Sequence, residues 1–173
     1  MNDKEKKEQK EIIECQNYDE AYLFARDVPD ADIEALQQVV LDHGNGTYAY
    51  LFAKDIPSAD IKELQQVILD HNDGFISYEF ARDIPGSDIK ALQDVVLDSK
   101  DDWLAYVFAQ DVPGADIEAL QNIILEHGNS TYAYLFAKNI PGADIEKLQQ
   151  VVLSYGHEEL IKKFEEDILN NTD

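Results

Sequence analysis

The chain has 173 residues, with 36 acidic against 14 basic side chains and a formal net charge of -22, which excludes direct binding to DNA, RNA or an anionic membrane because those partners need a basic footprint. Hydrophobic residues at 45% and aromatics at 10% argue against disorder and allow one domain or one compact array. A single cysteine, Cys15, excludes an internal disulfide framework and a multi-cysteine metal site.

The first ten residues carry lysines but no apolar run behind them, so no secretory signal is expected, and no stretch has the length of a membrane span. A cytoplasmic protein is expected. Prolines then stand at 29, 57, 85, 113 and 141, a constant interval of 28 residues. A fixed period of this kind marks a helical-repeat array. It divides the chain into an N-terminal half-repeat over 1–16, five full repeats over 17–156 and a C-terminal half-repeat over 157–173.

Each full repeat predicts two helices. The first opens on Asn17, Asn45, Asp73, Asp101 or Asn129, all good N-caps, and carries Tyr22, Phe24 and Ala25 or their equivalents. It must stop before Val28-Pro29 and its counterparts, since a residue before proline avoids helical backbone. Asp30, Ser58, Gly86, Gly114 and Gly142 are expected as N-caps of the second helix. The aspartates two residues later, Asp32, Asp60, Asp88, Asp116 and Asp144, are then first-turn carboxylates. The second helix repeats Ile33, Leu36, Gln37, Val40 and Leu41 on one face. Gly44, Asn72, Gly128 and Gly156 suit a left-handed C-cap, with Lys100 the exception.

The ends stay in phase. Glu11 to Cys15 align with Val39 to His43 as the remnant of a second helix, and Phe164 to Ile168 align with Phe136 to Ile140 as the remnant of a first. Lys162 and Glu165 replace a tyrosine and an alanine, as the polar outer face of a capping repeat requires. The expected fold is all-α, a right-handed α-solenoid of about six stacked helical hairpins. At ~8–10 Å per helix, six hairpins would extend about 50–60 Å, giving about one net charge per 2.5 Å against one per 1.7 Å on duplex DNA.

A helical wheel puts Ala21, Phe24, Ala25 and Val28 on the core side of the first helix and Tyr22 on the open side. The tyrosine ladder either packs along repeat junctions or forms a binding stripe. Three acidic ladders recur. Asp32 and its equivalents are explained by the helix N-terminus. Asp27, Asp55, Asp83 and Asp111, two residues before each proline, fit a side-chain turn and remain binding candidates. Asp42, Asp70, Asp98 and Glu126 lie near a helix C-terminus, where the dipole disfavours an anion, and are the stronger candidates for contact with a partner. Phe75 and Trp103 stand where other copies have Asp19, Thr47 or Thr131 and resemble a binding hot spot. Gln37, Gln65, Gln93, Gln121 and Gln149 border the apolar face as repeated structural hydrogen bonds.

No nucleotide-binding, serine-hydrolase or zinc-protease motif is present. His43, His71 and His127 share one repeat position, and like groups along a line do not converge as a catalytic pocket does. No enzyme activity, cofactor or metal is expected. Over 17–156 there are 25 acidic against 8 basic residues, so the repeats themselves are one-sided.

The hairpin arrangement resembles the HEAT and tetratricopeptide classes, with a shorter unit and without their motifs. The unit Tyr-x-Phe-Ala-[Arg/Lys]-Asp-[Ile/Val]-Pro-Gly-Ala-Asp-Ile-x-x-Leu-Gln resembles short repeats of bacterial and phage proteins over 17–156. Strongly acidic phage proteins of this size occupy the nucleic-acid site of host defence enzymes. By that analogy the expected partner is a basic protein surface, such as the channel of a nuclease or regulator. The alternative expectation is a scaffold that binds a peptide or protein through the tyrosine ladder, Phe75 and Trp103.

Overall fold

The structure, a computed structural model, describes residues 1–169. Among these there are twelve α-helices and no strand. The helices are α1 (Asp3–Cys15), α2 (Tyr18–Asp27), α3 (Ile33–His43), α4 (Gly46–Asp55), α5 (Ile61–His71), α6 (Gly74–Asp83), α7 (Ile89–Ser99), α8 (Asp102–Asp111), α9 (Ile117–His127), α10 (Ser130–Asn139), α11 (Ile145–Tyr155) and α12 (Glu158–Phe164), and a π-helical turn (Glu165–Leu169) follows. The chain forms two compact units, Met1–Asp88 and Ile89–Asp173. In the first, α2 packs on α3 and α4 on α5 as hairpins; α2, α4 and α6 form one layer and α1, α3 and α5 the other. The second unit repeats the plan, with hairpins α8–α9 and α10–α11 and layers α8, α10, α12 and α7, α9, α11.

The core follows the repeated apolar positions. Phe52, Phe80, Phe108, Phe136 and Phe164 are fully buried, as are Leu36, Leu64, Leu92, Leu120 and Leu148. Ala21 and its counterparts Ala49, Ser77, Ala105 and Ala133 are wholly covered, small side chains where first helices pack closely. Ile12 and Gln9 of α1 are buried, and Phe164 and Ile168 close the other end. Glu8 and Glu11 stand at the positions of Leu36 and Val39 and are exposed, so α1 turns a polar side outward.

The turn between the two helices differs from expectation. The N-caps of α3, α5, α9 and α11 are Asp32, Asp60, Asp116 and Asp144, whose carboxylates accept backbone N–H bonds from the first turn. Asp30, Gly86, Gly114 and Gly142 instead have positive φ, between 61° and 86°. The proline fixes the first central residue of a β-turn, and the next residue takes the left-handed conformation of a type II turn. Ala31 N–H bonds Val28 O at 3.4 Å and Ala143 N–H bonds Ile140 O at 3.3 Å across it, whereas Ser58, at the same place in its repeat, does not have positive φ. That turn uses up the two residues after each pre-proline position, so the helix begins later. At the C-termini, Gly44, Asn72 and Gly128 are left-handed as expected, and Lys100 is too, at φ 53°. Gly156 is extended at φ -77° and does not serve as a left-handed cap.

Candidate partner-binding faces

The second-helix layer is stitched by the repeated glutamine. Gln9, Gln37, Gln65, Gln93 and Gln121 each accept, through Oε1, the backbone N–H of the N-cap aspartate 23 residues on, at 2.8–3.0 Å. A buried amide thereby satisfies the donor at the start of the next second helix. Gln9 extends the ladder into the half-repeat; its place 28 residues before Gln37 marks it in the sequence.

Asp42 and Asp70 lie on the opposite, exposed side of this layer, as do Asp98 and Glu126 in the second unit. Gln38 Nε2 donates to Asp42 at 2.6 Å and Gln66 Nε2 to Asp70 at 2.8 Å. These local i,i+4 bonds offset the helix dipole by a few tenths of a kcal/mol. In α7 the glutamine position is Asp94, so two carboxylates follow one another on that face. Among the described residues none of the four acids is in an ion pair.

The ladder that includes Asp27, Asp55, Asp83 and Asp111 occupies the other layer, and there the tyrosines decide its role. Tyr22, Tyr50, Tyr78 and Tyr134 are only 4–7% exposed, so the open-side placement of Tyr22 does not hold and no tyrosine stripe faces solvent. A single-helix wheel leaves out the neighbouring first helix, which covers that side in the stack. Each ring is buried at a repeat junction, and the hydroxyls of Tyr22, Tyr50 and Tyr134 each reach a carboxylate 33 residues on. Tyr22 donates to Asp55 at 2.5 Å, Tyr50 to Asp83 at 2.6 Å and Tyr134 to Asp167 at 2.5 Å.

A cation completes each latch. Lys54 Nζ lies 2.7 Å from the Tyr50 hydroxyl and 2.8 Å from Asp83, and Arg82 grips Asp83 at 2.6 and 3.0 Å. Arg26 stacks over the Tyr22 ring at 5.3 Å and forks onto Asp27. Burial, then the adjacent carboxylates, push the Tyr22 and Tyr50 hydroxyls above their ordinary pKa. Arg82, joined by Lys54 and the Tyr50 hydroxyl, holds Asp83 far below the usual carboxylate range despite partial burial. Asp167, chiefly, pushes Lys138 up to about 12. Asp55 and Asp83 are therefore engaged in packing the array, through tyrosines that lie too far along the chain for a local pattern to reveal, whereas Asp27 is exposed and pairs with the adjacent Arg26.

The two divergent aromatics are exposed as expected, Phe75 at 46% on α6 and Trp103 at 41% on α8. His127 does not stand alone: its Nδ1 lies 2.9 Å from Asp102, which also accepts from Asn129 Nδ2 at 2.8 Å. His157 caps α12 through Nδ1. Among the described residues no group of three or more His, Cys, Asp or Glu side chains could hold a metal ion, and no helix is long and apolar enough to cross a membrane. Comparison with protein-family models, with curated proteins and with solved structures finds no match.

Proposed function

We propose that this is a non-enzymatic binding protein that covers a basic protein surface, most concretely the nucleic-acid channel of a nuclease or other DNA-binding protein, as an anti-defence inhibitor of phage type would. The observation that carries this reading is how the basic side chains are used. Arg26, Lys54, Arg82 and Lys138 are all drawn into ion pairs with aspartates of the latches, while Asp42, Asp70, Asp98 and Glu126 remain exposed on the other layer. Four of the eight basic side chains over 17–156 are thus held in the first-helix layer; Lys62, Lys90, Lys100 and Lys147 stand on or beside the second helices but are outnumbered there by acids, so the field a partner meets on that layer is still negative.

Capture of a partner from the native host, followed by salt titration of the purified pair, tests the reading. Affinity should fall steeply with ionic strength, and a polyanion such as heparin should compete. The D42N/D70N/D98N/E126Q variant should bind about tenfold more weakly or worse. Binding that is indifferent to salt and to this variant overturns it.

A further inference from the structure

The latch at Tyr106 differs from its equivalents in a correlated way. Four residues after Tyr22, Tyr50 and Tyr134 stand Arg26, Lys54 and Lys138, and 33 residues after them stand Asp55, Asp83 and Asp167. For Tyr106 the same positions hold Gln110 and Asn139. Both charges are lost together. The bond also reverses direction, since Asn139 Nδ2 donates to the Tyr106 hydroxyl at 2.8 Å. The hydroxyl proton is thus not spent on a carboxylate. Tyr106 is half-buried, whereas Tyr22, Tyr50, Tyr78 and Tyr134 are 4–7% exposed.

Residues 103, 106, 107 and 110 follow i, i+3, i+4, i+7 spacing and share one outward stripe of α8. The stripe reads Trp103, Tyr106, Val107 and Gln110, with no charge in it, on a protein of net charge -22. At about 1.5 Å per residue it runs some 10 Å along the helix. Acidic residues stand at both ends of the same helix, Asp101 at its N-cap and Asp111 at its last turn, each exposed. Charge-depleted centres rich in Trp and Tyr, rimmed by charge, are how binding hot spots are built.

We propose that this stripe anchors the apolar face of a basic amphipathic helix of the partner. The apolar side of that helix lies on Trp103, Tyr106 and Val107, and its lysines or arginines reach the acidic ends of α8. The inference rests on the proposed function for its basic partner and adds the place where that partner is held.

Trp103 is the chain's one tryptophan, so its emission reports this site alone. The probe is an 18-residue amphipathic Leu/Lys peptide, compared with poly-lysine, which has the charge without the apolar face. The key variant is Q110K/N139D, which restores the charged latch, keeps Trp103 and leaves the net charge unchanged. The Leu/Lys peptide should shift Trp103 emission to the blue, and the double variant should weaken its binding about tenfold or more while circular dichroism stays unchanged. Equal affinity for parent and double variant overturns the anchor. So does an equal blue shift with poly-lysine. If both peptides bind without moving Trp103 and are lost in D42N/D70N/D98N/E126Q, the anchor fails and the acidic-face reading stands. Absence of any binding below about 1 mM overturns the anchor as well.

Discussion

The Tyr50 latch of the first unit and the Tyr106 latch of the second occupy the same position in their repeats and share almost none of their charge. Around Tyr50 lie Lys54, Asp83 and Arg82, within 2.6–3.0 Å of one another's polar atoms. Around Tyr106 lie Gln110 and Asn139, with one neutral hydrogen bond at 2.8 Å. Yet the 33-residue reach of the bond is common to both. The apolar core sets the register between neighbouring first helices, and the polar groups laid over it can change sign, direction or charge without moving the helices. A repeat protein of this kind can therefore alter its surface one copy at a time. The Tyr50 latch, like the Tyr134 latch of the second unit, uses a cation to staple adjacent repeats, and the Tyr106 latch leaves a neutral aromatic surface at the same place.

If the core is common and the latches are not, the largest effects should be equal in the two units. Phe52 and Phe136 are equivalent and both fully buried. Phe52→Ala and Phe136→Ala should each cost about 3–5 kcal/mol and differ by less than about 1 kcal/mol. Urea unfolding, with amide exchange to localise the loss, measures this. A clear inequality would mean that the cores are not equivalent and would break the comparison at its base.

The Tyr50 and Tyr106 latches themselves should differ. Asp83→Asn leaves Lys54 and Arg82 without their carboxylate and should cost about 1.5–3 kcal/mol at neutral pH. Because the folded pKa of Asp83 is depressed, its contribution is complete above the unfolded carboxylate value of about 3.9 and is lost as pH falls below it. The stability gap between parent and variant should close on acidification from about pH 4 downward. Asn139→Ala removes a neutral bond and should cost about 0.5–1.5 kcal/mol, with no comparable closing over that range. A gap for Asp83→Asn that stays constant to pH 2 would contradict the charged latch.

What the residues disclosed in advance and what they hid divide by range. The helical hairpins and the glutamine ladder are local or strictly periodic, and a regular array copies them without competition from unlike neighbours. The N-cap was displaced by two residues because Asp30 and Asp32 are both good capping residues, and only the geometry of the turn after Pro29 decides between them. Tyr22 was misplaced because a wheel treats one helix at a time, while the side it faces belongs to the neighbouring hairpin. The partners of Asp55 and Asp83 lie 33 residues away, across a helix pair, and no short pattern carries that distance. Of the acidic candidates, the exposure of Asp42, Asp70, Asp98 and Glu126 near the ends of second helices is legible because helical periodicity alone places them away from the apolar face.

The glutamine ladder should sharpen the comparison by showing no difference between units. Gln65 receives Asp88 N–H and Gln121 receives Asp144 N–H, both at 2.8 Å. Gln65→Ala and Gln121→Ala should each cost about 1 kcal/mol, the effect of exposing a backbone donor at a partly wet helix start to water in place of a buried acceptor. Amide exchange at Asp88 and Asp144 should quicken to the same degree.

The smallest expected effect concerns helix C-caps and has the opposite sign. In the first unit the left-handed caps after α3 and α5 are Gly44 and Asn72, residues suited to positive φ. In the second unit α7 ends on Lys100 at φ 53°, where a Cβ crowds the following backbone. Lys100 is held there by the N–H bond it makes to Leu97 O at 3.2 Å and by the need of Asp101 to cap α8 immediately afterwards. The constraint from the next helix outweighs the local preference. Lys100→Gly removes the Cβ while leaving both bonds in place. Glycine's greater freedom in the unfolded chain offsets part of the gain, so the variant should be stabilised by no more than about 1 kcal/mol. Gly128→Lys, the reverse change in the same unit, should cost more, because a Cβ there would stand 2.9 Å from the Tyr155 ring. If Lys100→Gly destabilises instead, the lysine contributes something at this cap beyond its backbone, and the two units differ in their helix ends as well as in their latches.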